Sequence, residues 1–415
     1  MPTLQAQGSL NGVPTVMLEG DRASLDLVLA VGFRNQPPVE LLMQLDGLPI
    51  QEGPPLRFLW PKPQQRVLLR THLNDATGYG QFAGNLVAEL INLGVEVAVT
   101  PIEPTAIWEE FAPLAPQVKQ RLVENPSDAW EFVIGLPNSP LDPTKASVIF
   151  TMWEATRIRR AWAQQLNRAA AVITASNFNL TCFSAAGVEA PLFRVPLGIN
   201  PAHFYRPQRP ELKARPAKFV FGTGGRLAHG GVRKGVEEVA RAFREAFSGK
   251  RDVELQIKMW PDCKFEHPGD NRIKAIHEFW PVAKLAAWYQ GLNAYVSGSC
   301  AEGFGLMPLQ AMACGAPFIG AKFSGQAEYL NVGENPVGWT VDYELAPPDK
   351  NFYEGMGLWG RPKQESLVER MRQAYENPWE CERRGKLAAE FAKQLTWQNT
   401  ALGVVEILKK VGMLA

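Results

Sequence analysis

Phe219-Val-Phe-Gly-Thr-Gly-Gly225 decides the architecture of this chain. Three apolar residues give a short strand signal, the glycines end it, and a helical pattern begins near residues 236–247. A strand that runs through a glycine-rich loop into a helix is the opening unit of a parallel, doubly wound sheet. More strand signals follow at 253–258, 294–297 and 317–320, and helical patterns dominate from about Gln364. Toward the N-terminus the same unit occurs once before. Arg66-Val-Leu-Leu-Arg-Thr-His72 reads as a buried strand and Asn74-Asp-Ala-Thr-Gly-Tyr-Gly80 as its loop. Phe82, Leu86, Leu90 and Ile91 then mark a helix ended by Gly94. Strand signals at 95–99, 132–135, 147–151, 171–174 and 192–195 continue the alternation, which lapses into a proline-rich linker around 198–216. The expected fold is α/β, with two doubly wound, Rossmann-like domains at 66–200 and 201–395 sharing one cleft beyond their strand ends. Residues 1–65 read as a β-rich extension, with Asp46-Gly47 as a hairpin signal. Residues 396–415 read as a helix that packs back toward the first domain.

Size and charge narrow the function. A chain of 415 residues can bury two full cores. With 43 basic and 42 acidic residues the net charge is +1, so no global field draws it to nucleic acid or an acidic membrane; a local basic groove stays open. Five cysteines, at 182, 263, 300, 314 and 381, are an odd number without Cys-x-x-Cys spacing. They read as reduced thiols of a cytoplasmic protein, neither a disulfide frame nor a zinc site. The first residues lack the plan of a signal peptide, and no apolar run approaches the ~18 residues of a membrane span. The expectation is a soluble, cytoplasmic protein without a transmembrane segment.

Gly298-Ser-Cys-Ala-Glu-Gly-Phe-Gly-Leu-Met-Pro-Leu-Gln-Ala-Met-Ala-Cys-Gly315 carries the most chemistry. It sets Glu302 in a turn flanked by Gly303 and Gly305, immediately before an apolar helix. A helix N-terminus offers unpaired N–H groups and partial positive charge to an anion, while Glu302 offers an acceptor to sugar hydroxyls. Donors for a diphosphate beside an acceptor for a polyol suit a sugar nucleotide. The alternative is a buried glycine turn with Glu302 as a helix cap. In Gly224-Gly-Arg-Leu-Ala-His-Gly-Gly-Val-Arg-Lys-Gly235, Arg226, Arg233 and Lys234 lie between a strand end and a helix start. They can neutralise a departing diphosphate, a term worth about 3–4 kcal/mol per well-placed donor, or they form a solvated basic loop.

Together these segments, with Ser324-Gly-Gln-Ala-Glu328 and Val195-Pro-Leu-Gly-Ile-Asn-Pro-Ala-His-Phe204, resemble the retaining glycosyltransferases of family 4 over roughly residues 66–410. The resemblance implies the GT-B fold, a nucleotide-diphosphate-sugar donor (UDP-, GDP- or ADP-sugar) and an acceptor hydroxyl. Position by position, it makes Arg226 and Lys234 the diphosphate contacts, with two extra residues lengthening the loop between them. It makes Glu302 the contact to donor-sugar hydroxyls, amid Gly225, Gly303, Phe304, Gly305 and Leu306. The second acid of the family's Glu-x7-Glu pattern, which holds the ribose, falls on Gln310. A neutral hydrogen bond contributes about 1 kcal/mol where a charged one gives ~1.5–3, so this departure implies weaker donor binding without loss of activity.

In the first domain, Gly78, Tyr79 and Gly80 resemble the family's glycine loop near the donor phosphates, or form a plain turn. Many family members place an active-site histidine near Thr151-Met-Trp-Glu154; this chain has Trp153 and Glu154 instead. Trp153 is expected on the acceptor side. Glu154 either orients or deprotonates the acceptor, or starts the next helix. His72, at a strand end, is either an acceptor contact or structural. Among Phe279, Trp280, Trp288 and Tyr289 most read as core, with one of the first pair able to pack on a nucleobase. No Asp-x-Asp occurs, so no cofactor and no metal ligands are expected. Two rivals remain: a sugar-nucleotide-binding protein without turnover, and transfer to a modified nucleic-acid base, which near-zero charge disfavours.

Overall fold

The computed structural model describes residues 61–72, 78–102, 116–124, 126–208, 214–225, 232–263, 265, 269–330, 336–349 and 352–415, together with the backbone of four short earlier strands. Those four, β1 (Leu4–Ala6), β2 (Leu18–Gly20), β3 (Met43–Leu45) and β4 (Leu48–Pro49), form one antiparallel sheet. Leu45 pairs with Leu48, while the Asp46-Gly47 hairpin signal itself lies outside the described residues.

Two parallel six-stranded sheets make the body. The first orders β10 (Leu192–Arg194), β9 (Ala171–Thr174), β8 (Ala146–Phe150), β7 (Trp130–Ile134), β5 (Arg66–Thr71) and β6 (Glu96–Pro101). Every residue of β7, β8 and β9 is buried, which explains why these strands read as continuous apolar runs. The second orders β13 (Ile273–His277), β12 (Val253–Met259), β11 (Phe219–Gly225), β14 (Ala294–Val296), β15 (Phe318–Ala321) and β16 (Gly338–Val341). In β12 the buried Val253, Leu255, Ile257 and Met259 alternate with half-exposed residues. The helix Val236–Ala246 lays Val236, Val239, Ala240 and Phe243 on the core, with Glu237 and Glu238 in its first turn and Arg244 in its last, the charge order its dipole favours. A two-stranded excursion, β17 (Tyr343–Ala346) with β18 (Trp359–Pro362), leaves the second sheet; its strands carry no clear local signal in the sequence.

The C-terminal helix, Trp397–Lys410, lies on the first domain. Thr396 caps it by accepting from Asn399 N–H, Trp397 stacks on Phe82 at 5.8 Å, and Gln64 N–H donates to Met413 O at 3.0 Å. The domains also meet along their strand ends. Ser176 Oγ donates to Gly303 O at 3.1 Å, and Glu328 accepts from Asn177 N–H at 2.7 Å and pairs with Arg194 at 3.1 Å. A Cβ on Gly303 would come within 2.7 Å of Met152 Cβ, so only glycine lets the two edges approach this closely there. Among the described residues no helix is long and apolar enough to cross a membrane.

Candidate active site

In the second sheet the strand order reverses between β11 and β14. Ligands of doubly wound sheets bind outside the carboxyl ends of the strands at such a point. Two segments converge on it: the short 3-10 helix Val232–Lys234, and residues 297–305 leading into the helix Leu306–Ala313. Glycines allow them to touch. A Cβ on Gly235 would stand 2.0 Å from Gly298 O, and one on Gly298 would stand 2.1 Å from Gly235 O. Cys300 N–H donates to Arg233 O at 2.7 Å and holds the crossing. Gly235→Ala, at φ 57, is therefore expected to cost about 2 kcal/mol and to weaken nucleotide binding. Urea unfolding and calorimetry with UDP check this; unchanged values for both would show that the crossing tolerates a side chain.

The crossing sets two cations on one carboxylate. Lys234 Nζ donates to both oxygens of Glu302, at 2.7 and 2.9 Å, and Ser299 Oγ donates to Oε1 at 2.7 Å. Arg233 Nη1 lies 3.5 Å from Oε2 and donates to Ala301 O at 2.7 Å. The turn is fixed from below, where Ser324 Oγ accepts from Glu302 N–H at 2.8 Å and Gly325 N–H donates to Glu302 O at 2.8 Å. Ser324 holds φ 59, the one left-handed non-glycine among the described residues. That conformation costs about 1–2 kcal/mol and persists because both bonds to the Glu302 turn fix it.

Burial pushes the Glu302 carboxyl upward, but Lys234 and Arg233 outweigh it and bring the value down to about 2. Glu302 is thus an acceptor at any physiological pH. Because its folded value lies below the ordinary 4.5, its stabilisation is complete above that ordinary value and is lost as pH falls through about 2. Burial also opposes the Arg233 charge, yet the Glu302 and Glu154 carboxylates more than offset it and keep the guanidinium protonated.

The remaining sequence expectations divide. Gly225 ends β11, and a Cβ there would lie 3.3 Å from the Lys234 stem, so Gly225 and Lys234 share one wall. Arg226 and His229 lie outside the described residues. Gly305 caps the helix Leu306–Ala313, with Leu306 half-buried at its head. Phe304 is buried against Tyr329, ring centroids 6.0 Å apart, so its side chain supports the turn and does not face a ligand. Gln310 is buried, and its Oε1 lies 3.4 Å from the Tyr289 hydroxyl. The expectation that it projects toward a ribose is corrected to this extent: its helix turns it onto the buried face of the helix Val282–Gly291. Trp288 and Tyr289 are core, whereas Phe279 is exposed and Trp280 half-buried just beyond β13.

In the first domain Gly78, Tyr79 and Gly80 do not precede a helix; they form the first turn of Gly78–Asn92. The Tyr79 hydroxyl accepts from Met152 N–H at 3.1 Å and lies 3.2 Å from Met152 O, and His72 meets its ring edge-on at 6.4 Å. Tyr79 thus ties the glycine turn to the 151–154 segment. Trp153 corrects the reading of an acceptor contact. It is fully buried, with Trp162 at 5.0 Å, Tyr353 at 4.9 Å and its indole N–H donating to Arg157 O at 2.7 Å. Glu154 is half-buried and accepts from the Tyr353 hydroxyl at 3.0 Å. Ser299, Ser324 and Tyr353 escaped the sequence reading. The first two lie within or beside quoted motifs, but Tyr353 reaches the site from an excursion with no local signal. Among the described residues no three or more His, Cys, Asp or Glu side chains come together as a metal site.

Residues 218–349 match the family described as Glycosyl transferases group 1. Over 268 residues the chain is 26% identical to the lipopolysaccharide core biosynthesis mannosyltransferase LpcC of Rhizobium leguminosarum bv. viciae, covering 59% of this chain and 73% of that protein. It also matches D-inositol 3-phosphate glycosyltransferases, spanning less than half of their length. Among solved structures, sucrose-phosphate synthase from Thermosynechococcus elongatus superposes with a TM-score of 0.60 at 16% identity, over 84% of this chain and 99% of that one. Anabaena HepE, solved with UDP and glucose, gives 0.57 at 15% over 84% and 100%. With the converging Glu302 turn and basic segment at the sheet's switch point, these likenesses identify the chain as a glycosyltransferase of the GT-B type whose second domain is a group 1 glycosyl transferase domain.

Proposed function

We propose that this protein transfers a hexose-type sugar from a nucleotide-diphosphate sugar to an acceptor hydroxyl, with retention at the anomeric carbon and without a metal ion. The observation that carries this reading is Glu302, held ionised by Lys234, Arg233 and Ser299 at the head of the helix Leu306–Ala313. A carboxylate there accepts from sugar hydroxyls while the cations face the diphosphate. The bond from the anomeric carbon to the diphosphate oxygen breaks as the acceptor oxygen attacks from the same face. The acceptor proton passes to the departing phosphate oxygen, so no protein nucleophile is required. Lys234, with Arg226, stabilises the charge that develops on the leaving group. Glu154 stands on the opposite wall, where it orients the acceptor. Phe279, exposed beyond β13, offers an apolar face for the base.

HepE was solved with UDP and glucose, which makes UDP-glucose the first donor to try. Mass spectrometry of products from a matrix of UDP-, GDP- and ADP-sugars against hydroxyl acceptors tests the reading. A second reading, donor binding without turnover, is favoured by Gln310, a neutral side chain already hydrogen-bonded to Tyr289. Tight donor binding with no product anywhere in the matrix would select it. EDTA is expected to leave the rate of transfer unchanged, because the basic residues do what a bridging cation would do. Loss of activity on chelation, restored by Mg²⁺ or Mn²⁺, would overturn the metal-free mechanism.

A further inference from the structure

We propose that Tyr353 is a positioning residue for transfer, delivered by the second domain to hold Glu154 of the first. The inference rests on the glycosyl-transfer reading and extends it to the residues beyond β17. After β17 the chain leaves the sheet, and on its way back to β18 it binds the segment that follows β8. Thr156 N–H donates to Leu358 O at 3.3 Å, Leu358 N–H donates to Thr156 Oγ1 at 2.8 Å, and Arg157 N–H donates to Met356 O at 3.1 Å. These three bonds anchor a second-domain strap on the first domain. Within the strap Tyr353 and Met356 are buried, and Tyr353 packs on Trp153 at 4.9 Å and Trp359 at 5.3 Å.

The anchoring fixes the direction of one hydroxyl. Tyr353 Oη donates to Glu154 Oε2 at 3.0 Å, and the Arg233 guanidinium sits 5.8 Å from the centre of the Tyr353 ring. One side chain therefore touches the carboxylate on the acceptor wall and the cation beside Glu302. Glu154 sits on a segment whose main chain is otherwise pinned by Tyr79 and by Asn179, which accepts from Trp153 N–H at 3.1 Å. The carboxylate itself is steered by the strap. A hydrogen bond to a charged group that orients a reacting partner acts on the rate through geometry, with little effect on how the nucleotide is held.

Tyr353→Phe keeps the ring and removes the hydroxyl. Wild type, Tyr353→Phe, Glu154→Ala and the double variant are compared with UDP-glucose and the other donors, using water as acceptor where no better one is found. UDP affinity and melting temperature are measured alongside. We expect Tyr353→Phe to lower kcat about tenfold with UDP affinity and melting temperature unchanged, and to cause no further loss in the Glu154→Ala background. Losses that multiply in the double variant, or a Tyr353→Phe enzyme with wild-type kcat, would overturn the role of Tyr353 while leaving the transferase reading intact. A wild type inert toward every donor would remove both.

Discussion

Glu302→Gln is expected to lower kcat/KM for the sugar nucleotide by about 10²–10³-fold while the chain stays folded. The two side chains have the same shape, and the amide can still accept from Ser299 Oγ and Lys234 Nζ, the groups that lie within 2.9 Å of the carboxylate. What is lost is charge. The carboxylate sits near a value of about 2 because Lys234 and Arg233 surround it, and the proposed role of that ionised group is to order sugar hydroxyls against the diphosphate. Gln310→Glu is the contrasting change. The buried amide lies 3.4 Å from the Tyr289 hydroxyl, so a new carboxylate there would meet a neutral partner. It should change nucleotide affinity little and leave sugar preference alone. Kinetics with a panel of donors separates the roles; normal turnover by Glu302→Gln combined with an altered sugar preference in Gln310→Glu would reverse the assignment.

The fold was legible wherever burial is written into local composition. Strands β7, β8 and β9 are buried at every residue and show as apolar runs, and the helix Val236–Ala246 shows its stripe at three- and four-residue spacing. Strand β13, Ile-Lys-Ala-Ile-His, escaped because it is an edge strand with one fully buried residue. The pairing of β17 with β18 escaped for a different reason: its partners are separated by the strap, and local pattern holds no information on such distant pairing. The candidate site divided in the same way. Glu302 and Lys234 could be picked out by residue type beside glycines and by the resemblance, and the structure joins them in one ion pair. Trp153 shows the limit of carrying a position over from a motif. The motif gives a place in the chain, but the direction of the indole is set by Trp162, Tyr353 and the Arg157 carbonyl, none of which is in the motif.

Lys234→Ala should separate what this ion pair does for stability from what it does for catalysis. The ammonium is half-buried on Glu302, and burial lowers its value despite that partner. Removing it leaves a partly buried carboxylate with Ser299 and the more distant Arg233, at 3.5 Å, so we expect a destabilisation of about 1–2 kcal/mol. The rate should fall by about 10²–10³-fold, since a donor aimed at the departing diphosphate acts most strongly in the transition state. Adding Glu302→Gln to Lys234→Ala removes the uncompensated charge, so the double variant should recover stability and remain inactive. That pattern distinguishes a site residue from a structural pair, whose activity would return with its stability. Urea denaturation and single-turnover kinetics on the three variants give both quantities. Recovery of transfer in the double variant, or near-wild-type kcat in Lys234→Ala, would remove Lys234 from the leaving-group site and leave the pair as a brace between the basic segment and the Glu302 turn.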